Sequence, residues 1–164
     1  MRYTIAVLVE NKPGVLARVS SLFRRRGFNI ESLAVGTTER EDISRMTIVV
    51  SGNEKVMEQV MKQLNKLIEV IKISDVTDNS VERELAMIKV VTNSETRGEI
   101  SEIANIFRAR IVDVARDSMI IEITGDEEKI NAFIDLMRQF GIKELVKTGK
   151  ISMMRGAKVV QAKI

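Results

Sequence analysis

The chain has 164 residues, of which 45% are hydrophobic, and its 26 basic and 23 acidic side chains leave a net charge of +3. It contains no histidine and no cysteine, which excludes Ser-His-Asp and Cys-His nucleophilic systems and zinc sites built from those residues. No apolar run approaches the roughly 20 residues that span a bilayer, and the sequence begins in a strand-like segment instead of a secretory signal. We therefore expect a cytoplasmic protein that contacts no membrane and is not an enzyme by itself.

The first half of the chain predicts the element order β-α-β-β-α-β. Its strand-like segments are 3–10, 29–37, 44–52 and 69–76. Apolar residues at helical spacing predict two helices between them, the first ending at Gly27 and the second capped by Asn53. The apolar positions of the first helix are Val15, Leu16, Val19, Leu22 and Phe23.

The second half predicts the same order after a polar, aperiodic segment. Residues 78–84 indicate a linker between an N-terminal domain at 1–77 and a C-terminal domain at 85–164. Thr96 and Glu99 have the spacing of a capping box at the start of a helix. The apolar positions of that helix are Ile100, Ile103, Ile106 and Phe107. The segments RIVDVAR and SMIIEITG predict a hairpin, a second helix follows, and KELVKTG predicts a last strand.

The two halves align by residue type, which indicates an internal duplication. Adding 84 to a position in the first half gives its counterpart in the second half. In this way Gly14, Leu16, Val19, Leu22 and Phe23 correspond to Gly98, Ile100, Ile103, Ile106 and Phe107. The duplication predicts an α+β fold of two ferredoxin-like βαββαβ domains, each an antiparallel sheet with two helices on one face. Apolar residues on the other sheet face favour docking against another surface, and therefore an oligomer.

The copies differ where the first strand meets the first helix. The first copy has ENKPGVL, with the only proline of the chain at Pro13, and the second has TNSETRGEI. The capping box predicts that the second copy closes its own helix start, whereas the first copy is expected to leave backbone N–H groups open for an anion. A plain turn, with Asn11 capping the helix, is the structural alternative for the same residues.

Asn11-x-Pro13-Gly14-x-Leu16 at a strand-to-helix turn resembles the signature of the ACT domain, a βαββαβ module that binds amino acids, usually between two paired copies. A longer match is more specific. The segments LVENKPGVLARVSSLFRRRGFNIESLAVG, SRMTIVVSG and EKVMEQVMKQLNKLIEVIKISD, continued by ERELAMIKV and ANIFRARIVDV, resemble the small, regulatory subunit of acetolactate synthase (acetohydroxyacid synthase).

That resemblance implies a non-catalytic homodimer that partners a large catalytic subunit. In the family, the large subunit carries thiamine diphosphate, Mg²⁺ and FAD, and it makes acetolactate or acetohydroxybutyrate from pyruvate and a second 2-keto acid. The reaction belongs to the biosynthesis of valine, leucine and isoleucine. The small subunit raises this activity and confers feedback inhibition by valine or another branched-chain amino acid, so no cofactor is expected in this chain.

The resemblance also implies an effector site at the interface of two ACT domains, where the turn of one copy faces the second strand of the other. Helix N–H groups and asparagine amides suit the carboxylate and ammonium groups of an amino acid, and a glycine lets the backbone approach the ligand. Because apolar pockets separate valine from leucine or isoleucine only weakly, the effector is not identified. Ala17 has no polar side-chain group and is assigned no role. The effector-binding residues implied are Asn11, Gly14, Val15, Leu16, Asn29 and Ile30.

Two other surfaces are candidates for contact with the large subunit. They are the Arg24–Arg26 cluster and the loop at 37–44, which is specific to the first copy; solvated surface is the simpler explanation of both. Nucleic-acid binding is not expected, because the chain lacks a broad basic stripe and stacking aromatic residues. The alternative function is a free-standing amino-acid sensor that regulates another partner.

Overall fold

The computed structural model describes residues 1–161, so residues 162–164 at the end of the predicted domain 85–164 lie outside the described residues. The strands of the described part are β1 (Arg2–Glu10), β2 (Ile30–Thr37), β3 (Ile43–Ser51), β4 (Val70–Asp75), β5 (Ser80–Val91), β6 (Arg110–Val114), β7 (Ser118–Gly125), β8 (Ile142–Lys147) and β9 (Ile151–Met154). Its helices are α1 (Val15–Arg26), α2 (Glu54–Asn65), α3 (Arg97–Ile106) and α4 (Glu127–Arg138).

The first repeat forms an antiparallel sheet of order β2-β3-β1-β4. Alternate residues of β1 from Tyr3 to Val9 join the apolar faces of α1 and α2 in one core, as the period-2 and period-3.6 patterns predict. Helix α1 ends at Gly27, whose φ of 70° is the left-handed conformation of a C-cap glycine. Asn53 caps α2, since its side chain accepts a hydrogen bond from the Val56 N–H at 3.0 Å.

The second repeat forms a sheet of order β6-β7-β5-β8, to which β9 adds by pairing with β5. Its core combines alternate residues of β5 and β7 with the apolar faces of α3 and α4. These two sheets confirm the predicted α+β class and the βαββαβ order of each repeat. In this repeat one apolar helix position does not join the core: Ile106, the last residue of α3, is 74% exposed.

The predicted linker at 78–84 is wrong. Asn79 makes a turn with φ of 55°, and β5 begins at the next residue and continues to Val91. The chain divides into two compact units, and their boundary lies inside this strand, between Val81 and Glu82. The segment looks aperiodic because its first residues, Ser80, Val81 and Glu82, are all partly buried, so neither face of the strand carries a purely apolar or purely polar set there.

The predicted C-terminal domain at 85–164 is also wrong at its end. Unit 2 is Glu82–Thr148, and the segment that begins at Gly149 belongs to unit 1 together with Met1–Val81. A side chain on Gly149 would place its Cβ 2.1 Å from the Leu33 carbonyl oxygen, so only glycine fits against β2 there. Two hydrogen bonds follow: the Lys150 N–H donates to Ser32 Oγ at 2.8 Å, and Arg45 Nη2 donates to the Ser152 carbonyl at 2.5 Å.

The two sheets differ on the face that lies away from their helices. In unit 1 this face is buried, including Ala6, Leu8 and Val49, and the contact between Arg45 and the segment after Gly149 lies on it. In unit 2 the cross-strand neighbours Met87 and Val146 are 42% and 57% exposed. Docking of the second sheet against another surface therefore stays a prediction.

Candidate functional site

Helix α1 begins without a side-chain cap. Its N-cap is Gly14, in a left-handed conformation with φ of 86° and ψ of −8° that favours glycine. The Arg18 N–H donates to the Gly14 carbonyl at 3.0 Å, and the Val15 N–H makes a long 3.4 Å bond to Lys12. Among the described residues, the backbone N–H groups of Leu16 and Ala17 have no acceptor. The predicted open helix start is therefore confirmed.

Ala17 is part of the start of α1, although its apolar side chain led to no predicted role. Its methyl group offers a ligand nothing, but its backbone N–H is one of the free donors of the helix start. A helix leaves its first N–H groups unpaired whatever the side chains are, so counting positions from the N-cap glycine was the signal that could have found it. The helix has no acidic residue in its first turn, so no charge of its own competes for these donors.

Asn11 does not cap the helix, contrary to the structural alternative considered for this turn. Its side-chain nitrogen Nδ2 donates to the Glu41 carbonyl oxygen at 2.8 Å, and its backbone N–H donates to the Asp42 carbonyl oxygen at 2.8 Å. The amide oxygen Oδ1 accepts no hydrogen bond from any described residue. Asn11 therefore presents an acceptor, next to a helix start that presents donors.

The capping box predicted at the start of α3 is wrong. Thr96 makes no side-chain cap; instead Asn93 Oδ1 accepts from the N–H groups of Glu95 and Thr96 at 2.8 and 3.0 Å. The Asn93 oxygen is thus used inside its own turn, whereas that of Asn11 is free. Glu99 lies in the first turn of α3, where its carboxylate complements the helix dipole. The backbone N–H groups of Gly98 and Glu99 have no acceptor among the described residues, so the predicted closure of the second helix start is also wrong. The two starts differ in how their asparagine side chain is used and in the acidic residue in the first turn of α3.

The apolar residues predicted for the site have different environments. Val15 is 5% exposed and belongs to the core, so its side chain is not available to a ligand. Leu16, predicted also as an inward position, is 45% exposed beside the free N–H groups. Ile30 is partly buried and packs against the core of unit 1. Only Leu16 therefore offers an open apolar surface at the helix start.

Asn29 and Ile30 lie at the other end of the sheet from Asn11 within one chain. Ile30 is opposite Val50, which is opposite Tyr3, whereas Asn11 follows Glu10 at the far end of β1. Eight residue steps separate the level of Tyr3 from that of Asn11, which is about 26 Å at a rise of about 3.3 Å per residue. One chain alone does not bring the six predicted residues together.

The charged groups near the two halves of the site are paired. Lys12 Nζ lies 3.0 Å from Glu10 Oε2, and Arg18 Nη1 lies 2.5 Å from Glu69 Oε1. At the start of β2, the Ser51 hydroxyl and then Arg2 lower the pKa of Glu31 by stabilising its carboxylate. At neutral pH the helix start therefore has no unpaired anion from these residues.

Other kinds of site find little support in the described part of the chain. No group of three or more acidic, histidine or cysteine side chains could hold a metal ion there. A shallow concavity of about 110 Å³ lies on the sheet of unit 2, well below the roughly 300 Å³ of a typical ligand pocket. Across residues 1–161, no helix is long and apolar enough to cross a membrane; the cytoplasmic location stays a prediction.

Two family models match the chain. Residues 5–72 match the AHAS small subunit-like ACT domain, and residues 83–156 match the small subunit of acetolactate synthase. A probable acetolactate synthase small subunit of Archaeoglobus fulgidus is 73% identical over 158 residues, which cover 96% of this chain and 99% of that protein. This chain belongs to the acetolactate synthase small-subunit family.

Further members of the small-subunit family agree with this assignment. The acetolactate synthase small subunit of Mycolicibacterium smegmatis is 56% identical over 161 residues, covering 98% of this chain and 95% of that one. The crystal structure of the acetolactate synthase small subunit from Thermotoga maritima superposes with a TM-score of 0.90 at 44% identity, covering 96% of this chain and 99% of that one. The resemblance to the small subunit and the N-terminal ACT domain are confirmed. Membership supports a regulatory role and implies a catalytic large-subunit partner.

Proposed function

We propose that this small subunit binds valine or a related branched-chain amino acid between two copies of its ACT domain, and thereby mediates feedback inhibition of the catalytic subunit that it activates. The observation that carries the proposal is the start of α1. The free N–H groups of Leu16 and Ala17 and the free oxygen of Asn11 belong to the same strand-to-helix turn. An amino acid has the matching pair of groups, a carboxylate that accepts and an ammonium that donates.

Each group of the ligand then has an assigned partner. The carboxylate accepts hydrogen bonds from the N–H groups of Leu16 and Ala17, where the positive end of the helix dipole favours an anion. Gly14 has no heavy atom within 4 Å of its Cβ position, which leaves room for the ligand against the backbone. The ammonium donates to Asn11 Oδ1, and the exposed side chain of Leu16 contacts the branched side chain.

The second half of the site comes from the other copy. Strands β1 and β2 are parallel, since each is antiparallel to β3. Two copies that meet along the edge strand β2 about a two-fold axis run in opposite directions, so the start of one β2 lies beside the end of the other. Asn29 and Ile30 of the second copy are then level with Asn11 of the first, which supports a shared site and a homodimer.

The catalytic chemistry belongs to the large subunit in this proposal. Thiamine diphosphate, Mg²⁺ and FAD would be held there, and this chain would hold none of them. The sequence supports this division of labour, because it offers neither histidine nor cysteine for catalysis. Valine that weakens the activating contact must itself bind more weakly to the assembled complex, by the reciprocity of linked equilibria.

The decisive experiment uses mixed dimers. Asn11→Ala and Asn29→Ala chains carry different affinity tags, and the mixed dimer is isolated through both. A shared site predicts that each pure variant dimer loses valine binding in isothermal titration, whereas the mixed dimer keeps about one of its two sites, since only one site collects both substitutions. A mixed dimer without any binding would contradict the shared site.

Reconstitution tests the regulatory role. We expect the chain alone to have no synthase activity, to raise the activity of the large subunit when added, and to make that activity sensitive to valine. Unchanged activity and unchanged valine response would refute the proposal. A pull-down from native lysate that recovers another partner, without the thiamine-diphosphate enzyme, would favour the free-standing sensor.

A further inference from the structure

The loop between β2 and β3, residues 38–42, contacts Asn11 through two backbone carbonyl groups. The Glu41 carbonyl accepts from the side-chain nitrogen and the Asp42 carbonyl accepts from the backbone N–H, both at 2.8 Å. A carbonyl oxygen accepts hydrogen bonds but cannot donate them. The end of the Asn11 amide that faces Glu41 is therefore its nitrogen, and its oxygen faces away from the loop.

The loop is held in shape by its own hydrogen bonds. The Thr38 hydroxyl lies 3.0 Å from the Ile43 carbonyl oxygen and accepts from the Arg40 N–H at 3.2 Å. The guanidinium of Arg40 binds both carboxylate oxygens of Asp42, at 3.2 and 2.8 Å. This hydrogen-bonded pairing also lowers the pKa of Asp42, which keeps the carboxylate ionised. These contacts fix the position of the Glu41 carbonyl relative to β1.

The second repeat contains no equivalent of this arrangement in its described residues. There the connection from β6 to β7 is the short turn 115–117, closed by a hydrogen bond from the Ala115 N–H to the Ser118 carbonyl. The asparagine of the second turn, Asn93, directs its oxygen onto its own backbone. The loop and the outward amide oxygen therefore occur together in the first repeat, and both are missing from the second.

We propose that the 38–42 loop is a positioning element of the effector site, which holds the Asn11 amide with its oxygen toward the ligand's ammonium group. The inference rests on the proposed function. An amide that turned over would present its NH₂ group to the ammonium, two donors facing each other. The loop thus selects for amino acids over carboxylic acids that lack the amine, which assigns a role to a segment first considered as a partner surface.

The test compares L-valine with 3-methylbutanoate, the same molecule without its amine, by isothermal titration to the full chain. Thr38→Val keeps the shape of the side chain but removes the hydroxyl that holds the loop. We expect it to weaken valine binding about three- to tenfold, the usual effect of losing a hydrogen bond, and to leave the affinity for 3-methylbutanoate nearly unchanged. Asp42→Asn, which breaks the bidentate pair with Arg40, is expected to act in the same direction.

Two control variants accompany these measurements. Thr38→Ser restores a hydroxyl and is expected to restore the preference for valine, whereas Glu41→Ala keeps the backbone carbonyl and is expected to change nothing. The inference would be overturned, and the proposed function left standing, by one result: the wild-type protein binds valine, and both Thr38→Val and Asp42→Asn keep its preference for valine over 3-methylbutanoate. Wild-type protein that binds none of valine, leucine and isoleucine would overturn both.

Discussion

Replacing Gly14 with aspartate tests the effector site most directly. The Cβ position of Gly14 has no heavy atom within 4 Å, so the new side chain fits without a clash. Its φ of 86° costs an L-residue about 1 kcal/mol, and a carboxylate at a helix start returns about 0.3–1 kcal/mol. The folded protein should therefore be nearly as stable as the wild type.

The expected effect on binding is much larger, because the new carboxylate occupies the place proposed for the ligand's own. Two carboxylates about 4 Å apart repel each other by about 4 kcal/mol at the effective dielectric constant of a protein surface. That energy corresponds to about a thousandfold weaker binding of valine. We expect feedback inhibition to be lost while activation of the large subunit is largely kept.

Gly14→Asn is the matched control, since asparagine has the shape of aspartate and tolerates the same left-handed backbone. Isothermal titration with valine, thermal unfolding and the activity of the reconstituted enzyme are measured for both variants. The reasoning predicts similar unfolding temperatures and a much larger loss of affinity for the aspartate. Equal losses in the two variants would refute the electrostatic argument, and retained valine sensitivity in Gly14→Asp would refute the site.

Three other predictions separate ligand contacts from structural ones. Gly149→Ala should lower the free energy of unfolding by about 2 kcal/mol through its clash with β2. The control Gly98→Ala, whose Cβ is unobstructed in a helix, should raise the free energy of unfolding by about 0.5–1 kcal/mol. Chemical denaturation distinguishes the two signs. Leu16→Ala should weaken valine binding about tenfold with little change in stability. Val15→Ala, in the core, should cost about 1–2 kcal/mol of stability. The opposite pattern would contradict the assignment of Leu16 to the ligand and Val15 to the core. Because the pKa of Glu31 is lowered, its carboxylate stabilises the folded state at pH values above the ordinary pKa of 4.5, and this contribution is lost as the pH falls through the lowered pKa. Glu31→Gln should therefore weaken the dependence of the unfolding temperature on pH in the acid range.

The sequence predicted the repeats well because side-chain periodicity decides which face of an element is buried. Strands β1 to β4 differ from their predicted bounds by about one residue at each end, within the usual uncertainty of strand ends. Features that depend on backbone groups were harder to predict from the sequence. The pairing of β5 with β9 joins segments about 70 residues apart, and the return of the chain at Gly149 joins segments more than 100 residues apart, in both cases without any side-chain signal.

The candidate site shows the same division between side chains and backbone. The pattern Pro13-Gly14 predicted an uncapped helix start, because a glycine N-cap has no side chain to donate or accept. The capping box failed because the Thr96 hydroxyl accepts from the Asn93 N–H at 3.1 Å instead of from the Glu99 N–H, a competition within the turn that the spacing rule does not weigh. The hydrogen bond between Asn11 and the 38–42 loop joins residues 30 positions apart, so no local sequence pattern predicts it.

The position of Gly149 has a consequence for synthesis of the protein. Unit 1 needs the segment after Gly149 to cover β2, and roughly 70 residues separate that segment from the rest of the unit, which takes a ribosome about 4 to 14 seconds to add. During this interval the first sheet is complete in strands but uncovered where the segment will dock. A nascent chain therefore finishes unit 1 only after all of unit 2 has been made, and a stop codon placed after residue 148 would leave the ACT domain without the segment that covers β2.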